Sequence, residues 1–321
     1  MKKYAGAAIL LLIALFFPLI WSDPYYQRIG VMALIYAIVS TGLGTLVGQL
    51  RMISAGHSAF FGIGAYTSGI MTVKAGSGFL VGFVAAIVIT ALIGLAVSLP
   101  LVRMKGHFFA MATLAFGIIT QMVLLNWETL TNGPNGIPGI SLPRLFGFEL
   151  ANDRSMYYFT LVMLLLTLGL LHRLYQSPIG RAFRAIREDP VAAATLGIPV
   201  FRYRVLAFTL SAGIAGMAGS IFAHYMSFIS YQSFNPTESF ILLSMVIIGG
   251  MNHFAGPLLG AILLTVLPEW LRELQDYRFL LYGLILTGVL LFRPSGLLGG
   301  PNALGRREIY GRTSVKSQRL E

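Results

Sequence analysis

Long apolar runs separated by short polar interruptions organise this chain. The runs cover 4–21, 29–48, 55–73, 79–101, 107–126, 156–171, 205–227, 239–250, 255–268 and 279–292. Most approach the roughly 20 residues that a helix needs to cross the hydrocarbon of a bilayer. None of the 23 Lys/Arg or 12 Asp/Glu residues falls inside them, as the cost of placing charge in hydrocarbon demands. The pattern predicts an all-α polytopic membrane protein of about 10 transmembrane or re-entrant helices. Lys2 and Lys3 before the first run resemble the start of a signal peptide. The exit from Pro18 to Pro24 lacks a small-x-small cleavage site, so an uncleaved first helix is expected.

Two runs are interrupted in an unusual way. Gly56 to Ile70 and Ile247 to Ala261 each carry several glycines and a histidine, and 239–250 and 255–268 are short for a crossing. Broken backbone at membrane depth must face protein or a water-filled cavity. Paired glycine-interrupted segments in the two halves of a chain point to a transporter's substrate path and to internal pseudo-symmetry. On this basis Gly56, His57 and Gly64, with Gly249, Gly250 and His253 opposite, are candidate path residues. The competing reading is packing. Gly64/Ser68, Ala65/Gly69, Ala212/Gly216 and Ala215/Gly219 are small residues four apart, the spacing that lets helices approach closely. Whether 239–268 is two crossings or a re-entrant hairpin is open at this level.

The longest polar interruption is 177–204. Ser177-Pro178 reads as N-cap and first residue of a short helix, with Arg181, Arg184 and Arg187 in one stripe. Asp189-Pro190 starts a second, which Gly197 and Pro199 stop. Two capped helices with a basic face suit a docking element, or simply a positive cytoplasmic loop that fixes topology. The connection 127–155 is rich in glycine and proline and reads as a cap or plain connector.

Composition agrees with a membrane protein: 56% of the 321 residues are hydrophobic and 11% charged. The net charge of +11 is distributed by sidedness and does not suggest nucleic acid. With alternating crossings, 17 of the 23 Lys/Arg lie on the side of Lys2 and 6 on the other, which places both termini in the cytoplasm. A permease domain over 1–300 and a basic cytoplasmic tail over 301–321, near anionic lipid, are expected.

Reactive chemistry is sparse. There is no cysteine, and the five histidines show no metal-ligand spacing. His57 and His253 suit either a path or hydrogen-bonded packing, and His224 has no distinguishing context. Glu128, Glu149, Asp153, Glu269, Glu273 and Asp276 lie in connections. No carboxylate pair or nucleophile–base set suggests an enzyme, and no run holds a carboxylate for ion coupling. No phosphate-cradling G-x-x-x-x-G-K-[ST] occurs; if the chain transports, its energy must come from elsewhere, and 177–204, the largest internal loop, is the candidate handle for a partner that supplies it.

Three motifs, GQLRMISAGHSAFFGIGAYTSGIM at 48–71, GRAFRAIREDPVAAATLGI at 180–198, and MVIIGGMNHFAGPLLGA at 245–261 with RPSGLLG at 293–299, complete the picture. In this order they resemble the branched-chain amino acid ABC-importer permeases, the LivM-like family. The chain departs from that pattern at Gly249 to Phe254, where the family often has Gly-Gly-x-Gly-Ser/Thr. The resemblance implies a type II importer-like fold in a bacterial inner membrane. It implies a heterodimer with a second homologous permease, two cytoplasmic ATPase subunits and a periplasmic substrate-binding protein. ATP and Mg would be held by those ATPase partners, and no cofactor by this chain. The coupling segment maps onto Gly180, Arg181, Ala185, Ile186, Arg187, Glu188 and Asp189, with Ile186 filling a groove on the ATPase and Arg181 and Arg187 pairing with its carboxylates. The solute would be leucine, isoleucine or valine. Urea or another small-amide importer on the same scaffold, or a stand-alone carrier, are the alternatives.

Overall fold

The computed structural model describes residues 14–270 apart from 22, 105, 146, 147 and 252, together with scattered positions between 277 and 298. Most of the expected first helix, half of the run 279–292 and all of the tail 301–321 lie outside the described residues, although 14–20 are helical. Among the described residues, eleven α-helices with defined bounds follow. They are α1 (Pro24–Leu50), α2 (His57–Val73), α3 (Phe79–Leu101), α4 (His107–Asn126), the single turn α5 (Glu128–Thr131), α6 (Asp153–Gln176), α7 (Pro178–Glu188), α8 (Pro190–Thr195), α9 (Val200–Met226), α10 (Pro236–Gly249) and α11 (Gly256–Trp270). Five of them, α1, α3, α4, α6 and α9, are long and apolar enough to cross a membrane. The end of the bundle that carries α7 and α8 is the basic end. The opposite end, carrying 127–152, is the loop end.

Caps explain the boundaries. Asp23, Ser177, Asp189 and Asn235 each accept a hydrogen bond from the first turn of the helix they precede, with proline following each. Gly197, at φ 80°, ends α8 as its position suggests.

The two 27-residue helices α1 and α9 form the centre and are mostly buried, whereas α3 and α4 are mostly exposed. The sequence of α3 shows why. Its buried positions are Phe79, Gly82, Ala86, Thr90, Gly94, Ser98 and Leu101, mainly small residues, while Leu80, Val84, Val88, Leu92 and Leu95 face outward. Apolar side chains gain nothing by leaving lipid for protein, so close packing of small residues holds such a bundle together. A Cβ on Gly64 would fall onto the Gly216 backbone, and one on Gly219 onto the Phe61 carbonyl, which locks α2 against α9.

Two segments enter the bundle without α-helix. Arg51, in the left-handed region at φ 54°, ends α1 at the basic end, and 51–56 then run inward to the start of α2. From the loop end, 227–235 descend to the start of α10. Depth along α1 fixes where the second lands. Tyr36 bonds Glu238, Ser40 bonds Met245, a Cβ on Gly48 would fall on the Met251 carbonyl, and Tyr25 bonds Glu269. Thus α10, 14 residues and about 21 Å long, covers only the basic half of the bundle. After the turn at Gly250, α11 climbs back to the loop end. Residues 227–270 therefore make two passes, the first beginning with the strand Phe228–Ile229 and the 3₁₀ turn Tyr231–Phe234 before α10.

The connection 127–155 is ordered. Ile137–Pro138 pairs antiparallel with Phe228–Ile229, and Arg144–Leu145 with Phe148–Glu149. Ile137 and Ile140 are buried. His224 anchors this cap: its Nδ1 lies 2.7 Å from the Ser141 carbonyl, and its Nε2 2.9 Å from Ser68 Oγ. The carbonyl requires a donor, so Nδ1 carries the proton and Nε2 accepts.

Candidate functional site

The interior junction lies where α2 and α10 begin. Gly56 sits against Thr113 of α4, where any Cβ would fall onto the carbonyl, and the Ala55 N–H donates to Thr113 Oγ1 at 3.0 Å. His57 is fully buried, with Nε2 3.0 Å from Ser211 Oγ and its ring edge-on to Phe60. The Ser58 N–H donates to Ser239 Oγ at 2.9 Å, and Ser58 Oγ donates to the Asn235 carbonyl at 3.0 Å. These bonds satisfy helix-start groups that hydrocarbon would leave unpaired. Beside them the Tyr36 O–H donates to a Glu238 carboxylate oxygen.

Gly56, His57 and Gly64 therefore gather on α2, packed against α4 and α9. Gly249, Gly250 and His253 gather instead at the α10–α11 turn, beside Gly48 at the basic end. The structure does not set the two groups opposite each other, because the partner of the α2 start is the α10 start, about 15 Å along α10 from Gly249. A Cβ on Gly249 would strike the Gly256 carbonyl, so that pair lets α10 and α11 touch backbone to backbone. His253 is exposed, with its Nδ1 accepting from the Ala255 N–H at 3.3 Å. Leu297 and Leu298 donate N–H groups to the Ile248 and Gly249 carbonyls at 2.9 and 3.2 Å, which brings part of RPSGLLG onto the C-terminal end of α10.

Glu238 escaped the sequence reading by one position, since the apolar run begins at 239. The cap signal Asn235-Pro236-x-Glu238 was present in the sequence and places Glu238 inside a helix.

At the basic end, Gly180, Ala182, Phe183 and Ile186 of α7 are buried against the bundle, and Ile186 is only 2% exposed. Ile186 thus packs inside its own chain and is not available to a groove on another protein. The large exposed apolar side chains of this segment are Val191 at 72% and Leu196 at 80%. In the same segment Arg181, Arg184, Glu188 and Asp189 are exposed, while Ala185 and Arg187 are partly covered. Burial, then the nearby Arg51, lowers the Arg187 guanidinium below its ordinary range, and Glu188 acts in the opposite sense. Arg184 donates to the Tyr175 carbonyl at 2.9 Å, Tyr175 Oη lies 2.9 Å from Thr45 Oγ1, and the Tyr175 ring packs edge-on to Phe254. One tyrosine therefore touches α7, α1 and the α10–α11 turn.

Nothing in this arrangement resembles a reaction centre, and no group of three or more His, Asp or Glu able to hold a metal occurs among the described residues. A polytopic bundle with interrupted helices and a charged segment at one end defines a multi-pass membrane protein. The chain belongs to the family described as branched-chain amino acid transport system / permease component, whose pattern matches residues 25–292. It is 35% identical over 293 residues to the high-affinity branched-chain amino acid transport system permease protein LivM of Escherichia coli K12 and to that of Salmonella typhimurium LT2, covering 84% of this chain and 69% of each relative. It is also 27% identical over 291 residues to LivH of Escherichia coli K12, covering 83% of this chain and 92% of LivH. No solved structure matches the chain.

Proposed function

We propose that this chain is one of two homologous permeases in a bacterial inner-membrane importer that carries leucine, isoleucine or valine. Two ATPase subunits, which hold the ATP and Mg, dock at the basic end, and a periplasmic binding protein delivers solute at the loop end. The observation that carries this reading is the α7–α8 segment, which exposes Val191 and Leu196 together with Arg181, Arg184, Glu188 and Asp189. Exposed apolar side chains in a charged segment mark a protein contact. The charge bias supports a cytoplasmic basic end. That Escherichia coli K12 has two permease proteins similar to this chain, LivM and LivH, supports a heterodimer.

Closure of the ATPase subunits on ATP pushes α7, which packs against α1 and α6 and sets Phe183 edge-on to Tyr203 of α9. Tyr175 passes the displacement to α1 and to the α10–α11 turn, and the bundle rocks about the junction of α2 and α10. That junction, where two helices of opposite direction meet start to start, supports internal pseudo-symmetry of the type II importer kind.

Reconstitution of the complex in proteoliposomes, with radiolabelled leucine, isoleucine, valine and urea as solutes, tests the reading. ATP-dependent uptake of the three aliphatic amino acids is expected; uptake of urea alone overturns the substrate assignment.

A further inference from the structure

We propose that the outward stripe of α10, formed by Thr237, Phe240, Ile241 and Ser244, is the surface on which the companion permease packs inside the membrane. The inference rests on the permease reading above and assigns one face of this chain to its heterodimer. The four positions follow the three- and four-residue spacing of a single helix face. Thr237 and Phe240 are exposed, and Ile241 and Ser244 are partly so. On the opposite side Ser239, Leu242, Met245 and Val246 are buried. Depth limits what can cover this face. Ser40 of α1 bonds Met245 and stands about 24 Å below the loop end of its helix. Thr237 precedes Met245 along α10 and lies about 12 Å nearer the loop end. Thr237 is therefore about 12 Å, and Phe240 about 17 Å, below the loop end of a helix about 40 Å long. The hydrocarbon layer is only about 30 Å thick, so both side chains lie within it. An ATPase or a binding protein, which meets the bundle from water, does not reach that depth.

Three covers remain: lipid, water or a second membrane-embedded chain. Lipid suits the Phe240 ring, which is 48% exposed, but not the Thr237 hydroxyl. A serine or threonine inside a helix can donate to the carbonyl four residues back, as Ser244 does to the Phe240 carbonyl at 2.8 Å. Thr237 is the second residue of α10 and has no helical carbonyl behind it. Water would satisfy that hydroxyl and leave the Phe240 ring and Ile241 wet. A packed helix that brings a polar group to Thr237 serves both, and hydrogen bonds of this kind join helices in membranes. The face of α3 is the contrast. Every exposed residue of α3 is apolar, Leu80, Val84, Val88 and Leu92 among them, as a surface bathed in lipid tails should be. That Escherichia coli K12 has two permease proteins similar to this chain supplies a partner of the required kind, a second multi-pass chain.

The test is photo-crosslinking of the complete complex in its membrane. The photoreactive residue p-benzoylphenylalanine is introduced singly in place of Phe240, where it keeps an aromatic ring, or of Thr237, and for comparison in place of Val84 or Leu92 on α3. Illumination is expected to yield a covalent adduct with the companion permease from positions 240 and 237, and none from 84 and 92. Thr237→Leu, which removes the hydroxyl and keeps an apolar side chain, is expected to weaken retention of the companion in detergent, whereas Val84→Leu leaves it unchanged. A companion that co-purifies with the chain yet forms no adduct at 240 or 237 overturns the proposal and leaves the permease reading standing. Adducts from 84 and 92 that equal or exceed those from 240 and 237 overturn it as well, since they put the companion on α3. A wild-type complex that binds no second permease sinks the heterodimer reading, and this assignment with it.

Discussion

The hydroxyls of Ser58 and Ser239 lie 2.6 Å apart, which sets the first turn of α2 against the first turn of α10 deep in the bundle. Both residues are fully buried. Replacing Ser239 with alanine leaves the Ser58 N–H without its acceptor where no water or lipid can substitute. The expected loss is about 1–3 kcal/mol, seen as a lower thermal midpoint in detergent. An unchanged midpoint would mean that the junction is not a structural pivot.

Close approach of α2 and α9 depends on Gly64. Gly64→Val drives a side chain into the Gly216 backbone, and overpacking of this kind costs about 1–3 kcal/mol or more. Gly169 in α6 has open space around it, so Gly169→Ala is expected to be neutral or stabilising by up to about 1 kcal/mol. Yields of folded protein for the two variants, compared side by side, check the contrast.

The α7–α8 segment divides into an inner and an outer set. Ile186→Ala opens a cavity under α7 and is expected to cost about 2–5 kcal/mol of stability. Leu196→Asp and Arg181→Glu alter only exposed groups, so both should insert normally and lose ATP-driven uptake. Arg187→Glu should also lose uptake while the protein inserts. ATPase-coupled import that survives Leu196→Asp would remove α8 from the docking surface.

The Tyr175 side chain joins α1 to the α10–α11 turn, and its main-chain carbonyl holds Arg184 of α7. Tyr175→Phe removes the Thr45 hydrogen bond and keeps the ring against Phe254, so a modest fall in import is expected. Tyr175→Ala removes both, and import should fall much further while ATP hydrolysis continues.

Much of this architecture was legible in the sequence, for definite physical reasons. Charge is excluded from hydrocarbon, so the edges of α3 and α4 fall where the apolar runs begin and end. Ser177-Pro178 and Asp189-Pro190 announce α7 and α8 because an N-cap acceptor followed by proline has few other uses. What escaped was tertiary. Glycine spacing does not reveal which backbone will approach, so Gly64 and Gly249 could be read as path residues when one packs on Gly216 and the other on Gly256. The hydrophobic face of α7 was visible, yet whether Ile186 turned toward its own bundle or a partner was not. Residues 51–56 and 227–235 carry no helical signal, and their descent into the bundle follows only from what Thr113, Ser239 and Phe234 offer them.

The central claim is that this chain moves solute only when nucleotide hydrolysis by a partner drives it. Radiolabelled leucine accumulation in proteoliposomes, measured with the chain alone and again with its permease, ATPase and binding-protein partners plus ATP, tests that most directly. The account predicts accumulation only in the complete system. Leucine concentrated by this chain alone, without ATP, would contradict it.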